Sequence, residues 1–199
     1  MPYLPYAASR MLPSMTPRRG GRRLSTDDWI EAGFAVLADK GPNALRVDAL
    51  CERLNVTKGS FYWHFTDMPT YRGALVEAWG SLHDSNRRPF ENMPDVEPRE
   101  RLAVMLRTLV APQHWALDRA MRVWALTDDG ALASVQQSDG RVLRAVRQAF
   151  IDYGCERDDA MLRSFVVFAS GVGIVHAAGP TPAAPPETLD RFLDFMLRP

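Results

Sequence analysis

Apolar residues recur at helical spacing from about residue 24 onward. Ile30, Phe34 and Leu37 share one face of a first helix. The same period predicts a short second helix over 47–54 and a third over 58–65, separated by a three-residue turn. Three short helices with such a turn between the last two are typical of a helix-turn-helix unit.

The remainder of the chain also follows a helical period, and no segment alternates in the manner of a strand. Three prolines between residues 87 and 98 predict a loop there. The run Phe165–Gly179 is uncharged and shorter than the roughly 20 residues that cross a membrane, so we expect a buried helix and no membrane partner. The predicted fold class is all-α, with further helices at 67–84, 99–110, 117–127, 132–153, 158–178 and 187–197.

Charge is distributed unevenly along the chain. The 24 Lys and Arg residues balance 24 Asp and Glu residues, which excludes a uniformly basic protein that coats nucleic acid. Residues 1–66 nevertheless contain nine basic and six acidic residues, which favours a basic contact module before an acidic body; random variation in charge is the alternative. Residues 1–23, with four prolines and two arginine pairs, predict a flexible basic arm. No apolar stretch follows those arginines, so they are not an export signal, and we expect a cytoplasmic protein.

The third helix carries the strongest functional signal. At about 100° per residue, Phe61 and Phe65 fall on the core side, and Gly59 and Trp63 lie nearly opposite. An exposed tryptophan on a short helix is unusual unless it meets a partner, and a glycine beside it lets a surface approach the backbone. The alternative is a helical corner packed wholly inside the protein. Side chains suited to phosphate oxygens are Lys58, Tyr62 and His64.

Leu24–Ala78 resembles the N-terminal DNA-binding domain of the tetracycline-repressor (TetR) family. The stretch Val56–Phe65, VTKGSFYWHF, follows the family pattern V-[ST]-x-[GA]-x-[LF]-Y-x-[HY]-F nearly position for position. Ala32, Phe34, Gly41 and the stretch Val47–Leu50 also match. The resemblance implies a helix-turn-helix domain over 24–66, followed by a helical body over 67–199 that binds an effector and dimerises.

The resemblance further implies a homodimeric, ligand-responsive transcriptional regulator, most often a repressor, bound to a palindromic double-stranded operator. Phosphate contacts would set the register, and Ser60, Trp63, Thr57 and Lys58 would read base edges. Arg46 stands where the family usually places Thr or Ser before the second helix, and we expect it to add a phosphate contact. No catalytic residue, metal or cofactor is expected.

The predicted body contains a set of large apolar side chains that suits a ligand cavity. Met105, His114, Met121 and Trp124 lie on two adjacent predicted helices. They include no cluster of one charge, so we expect an uncharged or weakly polar effector of unknown identity. Ordinary core packing is the alternative for the same residues.

Two further helical patterns predict assembly and coupling. Ala169, Gly173 and Ala177 are spaced by four and form a ridge that allows a partner helix to approach closely. Together with Phe192 and Met196 of the last helix, this ridge predicts a four-helix dimer interface. In the fourth helix, three side chains spaced by four are predicted to face the body: Tyr71, Leu75 and Trp79. A ligand bound beneath them is then expected to tilt that helix.

A different class of function remains open at this point. The chain fits a helical enzyme or small-molecule carrier if the helix-turn-helix corner is only structural. The sequence has no G-x-S-x-G, no phosphate-binding glycine loop and no paired histidine spacing that would support specific chemistry.

Overall fold

The computed structural model describes residues 24–91, 96–109, 115–177 and 185–198. All regular structure within these ranges is helical. The predicted arm at 1–23 and His114 lie outside the described residues. A 3₁₀ turn, Pro42–Ala44, follows the first of these helices: α1 Thr26–Lys40, α2 Val47–Leu54, α3 Lys58–His64, α4 Met68–Glu91, α5 Pro98–Leu109, α6 Trp115–Trp124, α7 Asp129–Tyr153, α8 Arg157–Ala177 and α9 Pro186–Met196.

Local sequence signals explain where α1 and α2 begin and end. Ser25 closes a capping box at the start of α1: its hydroxyl accepts from the Asp28 amide at 3.2 Å, and its amide donates to the Asp28 carboxylate at 2.6 Å. Asn55 ends α2 in the left-handed conformation, at φ 53° and ψ 49°. Asparagine tolerates that conformation better than most residues, so Asn55 can form the turn before α3 without glycine.

The fourth helix is longer than predicted, because Pro89 does not end it. Residues 87–91, which were expected in a loop, belong to α4. A proline removes one helical hydrogen bond but does not always end a helix. Pro98 occupies the first position of α5, where its missing amide proton costs nothing.

Two apolar cores hold the helices together. The first joins α1, α2 and α3 to α4, α6 and the start of α7, and includes Trp29, Phe61, Trp79 and Met121. The second joins α5, α8 and α9 to the later part of α7, around Phe150. Because α4 shares the first core with α1–α3, the core does not divide at residue 66, where the sequence placed a domain boundary.

A polar cluster fixes the middle of α4 against α6 and α7. The His83 ring lies 2.8 Å from an Asp118 carboxylate oxygen and 3.3 Å from the Ser138 hydroxyl. One residue on, Asp84 accepts a charged hydrogen bond from Arg141 of α7. The position of α4 is therefore set by the first core at one end and by these bonds further along.

Candidate nucleic-acid interface

The third helix is held by aromatic packing on its inner side. Phe61 is fully buried, and its ring lies 5.4 Å from that of Trp29 and 5.5 Å from that of Tyr71, both edge-to-face. Phe65 is buried too, with its ring 4.9 Å from Tyr71. Each such aromatic pair contributes about 0.5–1.5 kcal/mol of stability beyond the area it buries. These contacts therefore hold α3 firmly against α1 and α4.

The outer side of α3 is exposed as its sequence predicts. Tyr62 is 56% exposed and Trp63 is 62% exposed. Gly59 faces open space, since a Cβ placed there would meet only the Thr57 hydroxyl oxygen, at 3.7 Å. Two aromatic side chains and the accessible backbone of Gly59 therefore lie on the solvent-exposed side of α3.

The other predicted DNA contacts surround this surface. Thr57 and Lys58 are exposed at the start of α3, and Ser60 is half-buried. His64 is half-buried at its end, with its ring 4.7 Å from that of Trp63. Arg46 precedes α2 and is exposed. Seven of the eight residues predicted for DNA contact thus belong to α3 or to Thr57, the residue that precedes it, and none of the eight is buried.

An ion pair crosses the edge of this surface. The Lys58 ammonium lies 2.6 Å from an Asp48 carboxylate oxygen, and both side chains are mostly exposed. The hydrogen bond to Asp48, reinforced by its charge, raises the pKa of Lys58. Lys58 is therefore fully protonated, and its charge is partly balanced before any DNA arrives.

A close approach of α1 and α4 supports α3 from behind. The Tyr71 hydroxyl donates a buried hydrogen bond to the Trp29 carbonyl at 2.8 Å, and burial raises the pKa of Tyr71. Gly33 gives this hydroxyl its space. Tyr71 was predicted to face the body; it faces the first three helices instead, because its ring completes the aromatic core under α3. Trp29, absent from the predicted core positions, is fully buried.

The chain matches one family model, described as bacterial regulatory proteins of the tetR family, over residues 30–68. That span runs from α1 to the end of the surface just described. Residues 30–68 are therefore similar to the DNA-binding region of that family. The match agrees with the resemblance predicted from the stretch Val56–Phe65.

Several proteins similar to this chain are transcriptional regulators. It is 36% identical over 69 residues to the transcriptional regulator AcuR of Cereibacter sphaeroides, an alignment that spans 32% of each chain. A transcriptional regulator from Rhodococcus sp. RHA1 has a similar structure, with a TM-score of 0.70 and 20% identity over 87% of this chain and 94% of that one. A regulator from Saccharomonospora viridis, in complex with choline, matches at a TM-score of 0.67 and 11% identity over 86% and 94%. These two structures confirm the all-α fold.

Of the side chains predicted to line an effector cavity, the three that are described do not all share one core. Met121 and Trp124 belong to the first core, whereas Met105 belongs to the second. The spacing of apolar residues places a side chain on a helix face but does not say which neighbour that face meets. Of the three that are described, only Trp124 borders an open groove of about 980 Å³ between α4 and α7. Side chains on its walls include Arg72, Val76, Glu77, Ser134 and Gln137.

Only part of the predicted dimer face is exposed in the single chain. Ala169, Gly173 and Ala177 are exposed on α8, as the ridge requires. Met196 is buried in the second core of its own chain and Phe192 packs against that core, so Phe195, 63% exposed, is the outward residue of α9.

The apolar run of α8 is not a buried helix. One face is buried, through Ala160, Ser164 and Val167, and the other is exposed. By length and hydropathy alone α8 resembles a membrane span. Only 28% of its most apolar window is buried in this chain. Its large exposed side chains are Met161, Leu162, Phe165 and Val166, which the sequence analysis did not single out.

Proposed function

We propose that the protein is a homodimeric transcriptional regulator, acting as a repressor, that binds a palindromic DNA operator through α3 and releases it when a small molecule binds. The observation that carries this proposal is the outer side of α3. Trp63, Tyr62 and Gly59 are exposed on a helix whose opposite side is locked into an aromatic core. An enzyme or carrier with a purely structural corner gives no reason for that exposure.

Two substitutions in α3 test this proposal. Trp63→Ala removes the side chain best placed to meet a base edge, and such contacts contribute about 1–3 kcal/mol of discrimination. We expect the ratio of operator affinity to unrelated-DNA affinity to fall by about tenfold or more. Tyr62→Phe removes a hydroxyl suited to phosphate, so it should weaken binding to both DNAs by a similar factor.

The readout for both variants is fluorescence anisotropy with two labelled duplexes of equal length. Both side chains are exposed, so neither change should affect folding, and circular dichroism provides that control. An affinity ratio that stays at the wild-type value in Trp63→Ala would show that α3 does not read sequence.

The exposed face of α8 supports the homodimer. Leu162, Phe165, Ala169 and Gly173 follow one side of the helix at spacings of three and four, and all are exposed in the single chain. A continuous apolar stripe on a soluble domain marks an interaction surface. A second copy of the same stripe covers it when two α8 helices pack around a two-fold axis.

Gly173→Leu tests the interface. A Cβ at Gly173 would meet nothing within 4 Å inside the chain, so leucine fits the monomer but obstructs a partner helix. We expect monomers in sedimentation velocity and an unchanged helical spectrum. Gly140→Ala on α7 is the control, since its Cβ would contact only the Arg144 guanidinium, at 3.4 Å. A Gly173→Leu protein that remains fully dimeric would exclude this side of α8 from the interface.

The groove between α4 and α7 supports the effector site. It has one wall on the helix that packs behind α3, so a ligand there would press on α4. The regulator from Saccharomonospora viridis, with the same fold, was crystallised in complex with choline, which supports small-molecule binding by helical bodies of this kind. A ligand that favours one position of α4 changes DNA affinity, and DNA then changes ligand affinity by the same factor.

A thermal-shift screen of small molecules, followed by DNA titration with each hit, tests the effector. A true effector lowers operator affinity by about 5–150-fold, the range of typical coupling. Trp124→Ala should reduce its binding. Hits that bind equally well to Trp124→Ala would place the effector site away from the groove.

A further inference from the structure

The starts of α2 and α3 bring two opposite charges together beside the exposed side of α3. Asp48 lies in the first turn of α2, and Lys58 is the first residue of α3. The Lys58 ammonium is 2.6 Å from an Asp48 carboxylate oxygen, and the two side chains are 62% and 75% exposed, respectively. A charged hydrogen-bond donor and a charged acceptor are therefore presented to solvent side by side.

Folding stability does not account for this ion pair. Exposed pairs contribute little to stability, because water screens both charges and ordering two side chains costs entropy. The helix dipole favours a carboxylate in the first turn of α2, but it gives no reason to place Lys58 against that carboxylate.

A carboxylate at this position also opposes DNA binding in general. Residues 24–66 contain four basic and six acidic residues, so the domain that presents α3 has a net charge of −2. Affinity for any duplex comes largely from Lys and Arg contacts to phosphates. Asp48 balances the charge of one of these four basic residues, so it lowers affinity for DNA of every sequence. What it can add is discrimination between sequences.

The edge of a G·C base pair in the major groove matches these two groups. Guanine presents the acceptors N7 and O6, to which lysine binds, and the cytosine N4 amine donates to a carboxylate. O6 and N4 are hydrogen-bonded to each other, so they lie about 2.9 Å apart, close to the 2.6 Å between Lys58 and Asp48. An A·T pair also places an acceptor beside a donor. Its thymine methyl, however, stands beside that acceptor, where guanine offers N7 to the lysine.

The position of Lys58 suits contact with base edges. In helix-turn-helix proteins the N-terminal residues of the recognition helix contact bases, and Lys58 opens α3. The next residue, Gly59, leaves the backbone open to close approach. Asp48 is within hydrogen-bond distance of Lys58, so its carboxylate lies at the same edge of the surface.

We propose that Asp48 is a specificity-determining residue: together with Lys58 it selects one G·C base pair in each half-site, Lys58 donating to guanine and Asp48 accepting from the cytosine amine. The proposal rests on the DNA-binding function proposed above and adds a residue of α2 to the sequence reading by α3. Because the carboxylate repels phosphates, the same residue weakens binding to DNA that lacks this base pair.

Single-base-pair replacements in a selected operator test the proposal. Duplexes bound by the unchanged full-length protein are selected from a random pool, and each position of the half-site is then replaced in turn. Competition against a labelled duplex, followed by anisotropy, gives the relative affinity for each replacement. The variants are Asp48→Asn and Lys58→Met, both at exposed side chains, and circular dichroism checks that they fold.

Asp39→Asn is the matched control. Asp39 forms an ion pair with Arg53 at 3.1 Å, near the last turns of α1 and α2. The control therefore makes the same change of charge in the same domain, but at the opposite end of α2 from Asp48.

The wild type should prefer G·C at one position of the half-site by about fivefold or more, the lower end of discrimination by such contacts. Asp48→Asn should lose most of this preference, because an amide donates as well as accepts, and it should bind unrelated DNA more tightly. Lys58→Met should lose preference at the same position. Asp39→Asn should keep the wild-type preference at every position.

Three results would overturn the inference. They are a wild-type preference retained at every position by Asp48→Asn, a loss at a position that Lys58→Met does not share or that is not G·C, and an equal loss in Asp39→Asn. A pool that stays random with the unchanged protein would instead contradict the proposed sequence reading by α3, so the two failures are distinguishable.

Discussion

Gly33 of α1 packs tightly against Tyr71 and Leu75 of α4, and a methyl group there should disturb the support of α3. A Cβ at Gly33 would overlap the Tyr71 hydroxyl and lie 2.7 Å from Leu75 Cδ2. Tyr71 and Leu75 are both fully buried, so neither has open space to move into. Overfilling such a site costs about 1–3 kcal/mol. Alanine regains about 1 kcal/mol of helix propensity over glycine, so we expect a net loss of up to about 2 kcal/mol.

Tyr71→Phe makes the origin of this loss testable. The change removes the hydroxyl that donates to the Trp29 carbonyl at 2.8 Å, at a cost of about 1 kcal/mol when made alone. In Gly33→Ala/Tyr71→Phe the new methyl occupies the space that the hydroxyl has left. The double variant should therefore lose less stability than the two single changes together, by about 0.5 kcal/mol or more. The remaining contact with Leu75 keeps the relief partial.

Urea unfolding measures all four members of this cycle. One fixed protein concentration is used throughout, since the proposed dimerisation would make stability depend on concentration. Gly140→Ala is the matched control, because its methyl would meet only the flexible end of Arg144. It should be as stable as the wild type or slightly more stable. If Gly33→Ala behaves like this control, or if the cycle is additive, α1 and α4 do not meet as described.

Three further predictions concern exposed residues. Gly59→Ala should leave the free energy of unfolding unchanged, because the added methyl has open space. It should lower operator affinity in anisotropy titrations, because the methyl blocks close approach of DNA to the backbone; equal affinity would contradict that approach. Asp48→Asn removes the carboxylate that pairs with Lys58, so affinity for unrelated DNA should rise. No change in a gel-shift titration would show that this ion pair lies outside the DNA contact. Phe165→Glu places a charge on the exposed stripe of α8 and should yield monomers by light scattering, whereas a stable dimer would exclude Phe165 from the interface.

Features specified by neighbouring residues were predictable from the sequence. The bounds of α2 follow from its apolar face and from Asn55, and both agree with the structure. The inner and outer sides of α3 follow from a 100° projection, because a short helix packed on one side exposes the other. The motif at 56–65 also predicted the match to the tetR family model over residues 30–68, since its spacing is set by that same packing.

Features that depend on which helices meet were not predictable. The period of α4 shows that Tyr71, Leu75 and Trp79 share a face, but not that Tyr71 belongs to the core beneath α3. Likewise Met105 and Met121 are apolar at helical spacing yet enter different cores. A tertiary neighbour, rather than the local pattern, decided each of these cases. Trp29 had a detectable signal, as a tryptophan in the first turn of an amphipathic helix, but it lay beside the assigned face rather than on it.

Selection of bound duplexes from a random DNA pool tests the central claim most directly. The full-length protein should enrich an inverted repeat whose half-sites are centred about one helical turn, roughly 10–10.5 base pairs, or a multiple of it apart, because two copies of α3 enter successive major grooves. Selection with Trp63→Ala should enrich that repeat weakly or not at all. A pool that remains random with the unchanged protein, although it binds DNA, would contradict the claim that α3 reads sequence.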